Sequence, residues 1–120
     1  MTAEKERAFT SAETARELKT LSGWREEGGW LARTYETEGW ATTLMLVNVI
    51  GYVAEAADHH PDLTVSWARV IVKLQTHTAG GITAKDVELA RAIDAAALWR
   101  PLGGALRGTT RKFVRPGDGQ

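Results

Sequence analysis

The chain has 120 residues, of which 43% are hydrophobic and 25% charged, and this composition is typical of a single globular domain. Fifteen basic and fifteen acidic residues give a formal net charge of zero, which argues against recognition of nucleic acid or of an anionic membrane by the whole surface. The absence of cysteine excludes thiolate nucleophiles, disulfides and cysteine-bound metal centres, so any catalysis would use histidine, carboxylate, hydroxyl or amine groups.

The distribution of charge and apolar residues indicates where the chain would be found. The charged N-terminal residues lead into no apolar segment of a secretory signal, and the longest apolar stretch, residues 44–57, is interrupted by Asn48, Gly51 and Glu55. We therefore expect a cytoplasmic protein without a membrane-spanning segment. Residues 1–99 contain ten basic and fourteen acidic side chains, whereas residues 100–120 contain five basic and one acidic. The C-terminal tail, at +4, is a separate electrostatic unit from the body, at −4.

A helix and a hairpin are predicted for the first third of the chain. Ala15 and Leu18 recur at helical spacing after the capping residues Thr10 or Ser11, and Gly23 would end this first helix. The next segments, residues 24–27 and 30–37, flank a Gly-Gly turn, and the second of them alternates in polarity. This pattern predicts two antiparallel strands.

A long helix is predicted from Trp40 to about Ala57. Its apolar side chains lie at helical spacing and line one face: Leu46, Ile50, Val53 and Ala57. The segment His59-His60-Pro61 would stop it, because the proline forces the preceding residue out of the helical region and lacks the N–H that a helix requires.

Two more strands and a third helix complete the predicted fold. Residues 63–66 and 70–77 are β-branched and alternating, which predicts an antiparallel pair around Trp67-Ala68. Thr83 and Asp86 have the spacing of a capping box and start a helix to about Ala97, with Val87, Ala90 and Ile93 as its apolar stripe. The order αββαββα predicts an α+β domain, residues 1–98, in which three helices pack on one four-stranded antiparallel sheet. Residues 99–120 are expected to form an irregular basic tail, because proline and glycine recur in it.

All three histidines, His59, His60 and His77, fall in a short stretch, and the predicted strand pairing returns His77 to the end of the second helix. Three carboxylates accompany them: Glu55, Asp58 and Asp86. Glu55 lies four residues before His59, so on a helix its carboxylate would approach that imidazole and hold its orientation. An imidazole with an orienting carboxylate is suited to proton transfer.

Structural roles remain open for the same residues. His59-His60 could simply cap the helix C-terminus, where the dipole favours imidazolium, and Asp86 could simply complete the capping box of Thr83. Three histidines with a carboxylate match zinc in ligand type, although adjacent histidines point in divergent directions. Trp67 would lie at the edge of a pocket, or else serve as a core or interface anchor.

Taken in order, these residues resemble the signature of the pterin-4a-carbinolamine dehydratase family. In that pattern an acid precedes His-His-Pro by four residues, an aromatic follows, then a histidine near the end of the second strand, then an Asp in the first turn of the next helix. The matching positions are Glu55, His59-His60-Pro61, Trp67, Thr76-His77, Gly80-Gly81-Ile82-Thr83 and Asp86. The similarity extends to Leu21-Ser22-Gly23-Trp24, Leu89-Ala90 and Ile93-Asp94, and it covers roughly residues 11–97.

The resemblance implies an enzyme that removes water from 4a-hydroxytetrahydropterin to give the quinonoid dihydropterin, with no metal and no redox cofactor. His59 and His77 would be the acid/base pair, and His60 a pterin contact or accessory acid. Roles in binding or orienting the pterin would fall to Glu55, Asp58, Pro61, Trp67, Thr76 and Asp86. Which imidazole is the acid and which the base stays open at this point.

Two departures from the family pattern affect what the resemblance implies. Leu63 occupies a position where many family members carry an aromatic residue, and the basic tail extends past the usual family ending. Relatives with altered sites act as assembly factors for ribulose-bisphosphate carboxylase, so a binding role is the alternative to catalysis.

Family members are commonly homodimers or homotetramers. We expect apolar residues of the tail to dock on a neighbouring subunit or another protein partner: Trp99, Leu102, Leu106 and Phe113.

Overall fold

Three helices pack with an antiparallel sheet in the predicted order. The computed structural model describes residues 6–111 and 113–115. Its elements are α1 (Ser11–Leu18), β1 (Trp24–Glu27), β2 (Trp30–Thr37), α2 (Trp40–Ala57), β3 (Asp62–Ser66), β4 (Arg69–Leu74), a 3₁₀ turn (His77–Ala79), α3 (Ala84–Ala97) and β5 (Val114–Arg115). The predicted α+β class is confirmed.

The sheet has the strand order β1-β2-β4-β3, and β5 adds to β2. The hairpin forms around Gly28 and Gly29 as predicted, with Glu27 opposite Trp30. The fifth strand was not predicted, since the tail was expected to be irregular. Val114 pairs with Thr37 and is buried, so the tail returns to the end of β2 and covers apolar surface there.

The core lies between the sheet and the helices α2 and α3. The predicted alternation along β4 is confirmed, because Val70, Val72 and Leu74 are all buried. On α2 the buried stripe contains Leu46, Ile50 and Ala54. Ala57, predicted for this stripe, is exposed and lines a groove beside α3 instead. The predicted stripe of α3 is buried: Val87, Ala90 and Ile93.

The first helix is shorter than predicted. It begins at the predicted cap, where Thr10 and Glu13 form a capping box, but it ends at Leu18. The backbone after Leu18 forms 3₁₀-type turns, because the N–H groups of residues 19, 20 and 21 each donate to the carbonyl three residues earlier. Gly23 does adopt a positive φ of 90°, yet it leads into β1 rather than ending the helix.

The fourth strand also ends early. It was predicted to reach His77 but stops at Leu74, because residues 76–81 close a tight loop. Thr76 forms an isolated antiparallel bridge with Gly81, and Gly80 takes the left-handed conformation that the loop requires. His77 therefore begins a 3₁₀ turn instead of ending a strand.

The second helix is long and apolar enough to cross a membrane by length and composition, with a mean hydropathy of 1.3. No such segment was expected from the sequence. Core helices of soluble proteins pass the same test, and one face of α2 is packed into the core by Leu46, Ile50 and Ala54.

Candidate functional site

The two adjacent histidines are directed apart by the way α2 ends. Asp58 adopts a left-handed conformation, with φ 54° and ψ 41°, and turns the chain out of the helix before His59. The backbone N–H of His59 still donates to the carbonyl of Ala54, at 3.1 Å. The helix thus ends at Ala57, three residues before His60, and the two imidazoles take separate partners.

His59 faces a buried carboxylate. Its Nε2 lies 2.6 Å from Oδ1 of Asp86, whose side chain is 0% exposed, while the His59 side chain is 15% exposed. The other carboxylate oxygen, Oδ2, accepts the backbone N–H of Thr83 at 2.9 Å and the hydroxyl of Thr76 at 2.8 Å. Asp86 therefore caps α3 and orients His59 at once, so both roles considered for it in the sequence are present.

His60 pairs with the carboxylate that was predicted for His59. Its Nε2 lies 2.8 Å from Oε1 of Glu55, and both side chains are largely exposed. The predicted approach of Glu55 to His59 is wrong, because that spacing argument assumed a helix continuing through His59. The left-handed Asp58 breaks the helix first.

The loop after β4 reaches this site through Thr76. The Thr76 hydroxyl is buried and is bonded to Oδ2 of Asp86 and to the hydroxyl of Thr83, at 2.8 Å each. It therefore contacts Asp86 rather than solvent. His77 follows it directly and is exposed at the start of the 3₁₀ turn. His77 is therefore the chain neighbour of a residue bonded to Asp86, the carboxylate that contacts His59.

A groove opens on the other side of His59. It has a volume of about 290 Å³ between the end of α2 and the first turns of α3. Its lining comprises Ala57, His59, Lys85, Glu88, Leu89 and Ala92. The Lys85 ammonium is bonded to Glu6 at 2.9 Å, and this carboxylate raises the pKa of Lys85 above its usual value. The groove gives His59 contact with solvent and has room for a small ligand.

The remaining predicted residues lie at different places. Pro61 follows His60 directly, and Asp58 is exposed at the end of the helix. Trp67 lies in the turn between β3 and β4, where its ring stands against Gly39 and its carbonyl accepts the Thr43 hydroxyl. It is thus at the N-terminal end of α2, a helix about 27 Å long, whereas His59 follows the C-terminal end. The chain does not bring Trp67 to His59.

The chain belongs to the pterin 4 alpha carbinolamine dehydratase family. The family model of that description matches residues 7–96. Two relatives named as candidate pterin-4-alpha-carbinolamine dehydratases illustrate the similarity. The protein of Aquifex aeolicus is 47% identical over 88 residues, which are 73% of this chain and 89% of that one. The protein of Roseiflexus castenholzii is 39% identical over 86 residues, covering 72% and 92%.

Solved structures share the fold of this family member. A transcriptional coactivator/pterin dehydratase from Brucella melitensis superposes with a TM-score of 0.72 at 29% identity, over 76% of this chain and 99% of that one. A pterin dehydratase-like protein identified as a RuBisCO assembly factor in the alpha-carboxysome gives a TM-score of 0.55 at 22% identity, over 62% and 89%. All the candidate histidines and carboxylates lie within the family match, and the tail lies outside it.

No cluster of three or more metal-ligating side chains occurs within residues 6–111 and 113–115. His59 and His60 are instead each bonded to a different carboxylate, Asp86 and Glu55. The structure therefore offers no support for the zinc alternative in the part of the chain that it describes.

One buried polar cluster was missed in the sequence. Asp94 on α3 accepts hydrogen bonds from the Trp24 indole at 2.9 Å, from the Tyr35 hydroxyl, and from Arg33, whose guanidinium lies 3.2 Å away. Arg33 is almost fully buried and also donates to the carbonyl of Ser22, at 2.7 Å. The sequence did contain an indication of this cluster, because the family motifs outside the histidine region include Ser22, Trp24 and Asp94. The cluster ties β1 and β2 to α3 on the side of the sheet that carries the helices.

Proposed function

We propose that this family member catalyses the dehydration of 4a-hydroxytetrahydropterin to quinonoid dihydropterin by histidine acid/base catalysis. The observation that carries the proposal is the contact between His59 Nε2 and the buried Asp86 carboxylate, which is itself held by Thr76 and Thr83. A carboxylate fixed in this way holds an imidazole in one orientation and one tautomer.

The reaction requires two proton transfers on one substrate. The C4a–O bond breaks while a proton is delivered to the departing hydroxyl, which leaves as water. A second proton is removed from a ring nitrogen, and the electron pair forms the new C=N bond. Protons gained and lost balance, so the step needs one acid and one base and consumes no oxidant or reductant.

The site suits these two roles. When His59 donates Nε2–H to Asp86, its Nδ1 is left as a proton acceptor beside the groove, so we assign it as the base. His77 is exposed on the neighbouring loop, and we assign it as the acid. The exposed pair His60–Glu55 would contact the pterin rim, and Thr76 would act only through Asp86.

The test is a coupled assay on freshly generated 4a-hydroxytetrahydropterin. We expect His59→Ala and His77→Ala each to lower kcat by about 10²–10⁴-fold while the circular dichroism spectrum is retained. The double variant should lose far less than the product of the two losses, because the groups act as a unit. Lys19→Ala, at the exposed end of α1, is the matched surface control. A folded wild-type chain that gives no acceleration over the buffer rate would overturn the proposal.

A binding role is the second candidate. It is favoured by the basic tail, which lies outside the matched residues 7–96 and whose residues Val114 and Arg115 pair with β2. The carboxysome assembly factor of the same fold is an example of a protein with such a role. Two results together would support this candidate instead: the chain shows no dehydratase activity, and substitutions in its tail alter its binding to a partner protein.

A further inference from the structure

The chain just before α1 follows a fixed path. Residues 6–9 form this N-terminal segment, and the backbone N–H of Phe9 donates to the carbonyl of the buried Ile82 at 2.7 Å. Arg7 is bonded to both carboxylate oxygens of Glu13, at 2.8 and 2.9 Å. The N-terminal segment is thus joined to α1 on one side and to the chain that leads into α3 on the other.

The N-terminal segment packs directly on Gly81. The Ala8 side chain is so close that a Cβ atom at position 81 would lie 3.1 Å from the Cβ of Ala8. Carbon atoms in contact are normally about 3.5–4.0 Å apart, so this contact leaves no room for a side chain. Gly81 does not have a positive φ. The glycine is therefore needed at this position for its small size and not for its backbone freedom.

Gly81 closes the loop that carries His77. The backbone N–H of Thr76 donates to the carbonyl of Gly81 at 2.9 Å, and the N–H of Gly80 donates to the carbonyl of Thr76 at 3.0 Å. The Thr76 hydroxyl in turn holds Asp86. A cavity of about 210 Å³ lies between this loop and the turn of the β1–β2 hairpin, so the hairpin does not support the loop there. The N-terminal segment provides support from its own side.

The same segment also reaches the groove beside His59. Glu6 is bonded to the Lys85 ammonium at 2.9 Å, and Lys85 lines that groove. One short stretch of chain therefore contacts both the loop of His77 and the wall of the groove that adjoins His59.

We propose that the N-terminal segment positions the His77 loop for catalysis, and that the contact between Ala8 and Gly81 sets the place of His77 relative to His59. In the proposed function, on which this inference rests, these two histidines transfer protons on one pterin. Proton transfer requires a hydrogen-bond distance of about 2.6–3.2 Å, and a misplacement of about 1 Å can cost 10²-fold in rate. Ala8 and Gly81 are positioning residues, because they act through the backbone of the loop.

The first test compares three variants of the full chain in the coupled dehydratase assay: Gly81→Ala, Ala8→Gly and the two combined. In Gly81→Ala the added methyl group meets Ala8 and displaces the loop, so we expect kcat to fall about 3–10-fold and KM to stay within about twofold of wild type. Loss of the Ala8 methyl group makes room for it, so the combined variant should return to within about twofold of Ala8→Gly. Gly51→Ala is the matched control, since a Cβ atom there points into open space and should leave kcat unchanged.

Hydrogen exchange of the loop amides provides a second test that does not depend on activity. In Gly81→Ala the N–H groups of Thr76 and Gly80 should exchange at least about tenfold faster, while the N–H of Ile93 in the core keeps its wild-type rate. The combined variant should restore slow exchange. A wild-type chain without dehydratase activity would refute the proposed function, and the exchange rates would still decide whether the N-terminal segment fixes the loop.

Three results would overturn the proposal. Wild-type kcat and exchange rates in Gly81→Ala would show that the N-terminal segment, and not the loop, yields to the methyl group. A loss of activity that Ala8→Gly does not relieve would have its origin elsewhere in the loop. A fall in kcat that only matches a loss of folded protein at the assay temperature, measured by circular dichroism, would show a purely structural effect.

Discussion

Replacing Asp86 with Asn tests whether the buried carboxylate sets the chemistry of His59. An asparagine is nearly isosteric, and its side-chain oxygen can still accept the Thr83 N–H and the Thr76 hydroxyl. Its NH₂ group then faces His59 Nε2, which must become an acceptor, and the ring proton moves to Nδ1. The nitrogen that we assign as the base is thereby lost. We expect kcat to fall by about 10²–10⁴-fold.

The structural cost of this substitution is smaller and can be measured separately. Three hydrogen bonds of 2.6–2.9 Å reach the Asp86 carboxylate, and a charged acceptor strengthens each by roughly 1 kcal/mol over a neutral one. Release of a buried charge offsets part of that loss. We therefore expect about 1–2 kcal/mol less stability, which lowers Tm by about 4–8 °C for a domain of this size. Asp86→Ala should cost about 3–5 kcal/mol, because the buried donors lose their acceptor.

The assay compares kcat/KM with Tm in one series of variants: Asp86→Asn, His59→Ala, the two combined, and Thr76→Val. The combined variant should be no slower than His59→Ala, since both substitutions remove the same proton acceptor. Thr76→Val should lower kcat modestly and leave KM unchanged, because its hydroxyl acts only through Asp86. An Asp86→Asn protein that is folded and retains activity within about threefold of wild type would refute the reasoning.

Three further predictions concern stability. Asp94→Ala should lower the free energy of unfolding by about 3–5 kcal/mol, because it leaves the Arg33 guanidinium buried without its partner. Asp94→Asn should lower the free energy of unfolding by less. Urea denaturation measures both variants, and equal losses would contradict this account. Burial raises the pKa of Tyr35 well above 10, so stability should decline as pH rises past that value in the wild type, and Tyr35→Phe should remove this decline. The hydrogen bonds from the Arg7 guanidinium lower the pKa of the Glu13 carboxyl to about 2. The ionised Glu13 carboxylate therefore stabilises the fold above pH 4.5, and this contribution is lost as pH falls towards 2. Glu13→Gln should flatten this part of the acid denaturation curve.

The features that sequence reasoning predicted are local ones. The helix cap at Thr10 and the capping box of Thr83 depend on residues close in sequence, and the Gly-Gly hairpin depends on a turn of two residues. In β4 the alternation of buried side chains follows from the strand period. In each case the residues that decide the structure are neighbours in the chain, so spacing was sufficient.

The features that it missed depend on one unusual backbone conformation or on distant partners. The left-handed Asp58 places Glu55 beside His60 instead of His59, and no spacing rule predicts a positive φ at an aspartate. The pairing of Val114 with Thr37 joins residues far apart in sequence. The contacts of Asp94 with Trp24 and Tyr35 span 70 and 59 positions. Of the sequence features, only the family motifs, which contain Trp24 and Asp94, indicated these last contacts.

Asp86 shows why a structural role and a chemical role should not be treated as exclusive when a sequence is interpreted. A capping carboxylate is held by the backbone N–H of Thr83 whether or not a ligand is present. That bond occupies one oxygen and leaves the other, at a fixed position, for His59. The helix cap thus supplies the rigidity that an orienting carboxylate needs, without further residues being ordered for it. It follows that variants of Thr83 that weaken the cap should also disturb His59, and that the loss of activity in Thr83→Ala should exceed what its fall in Tm explains.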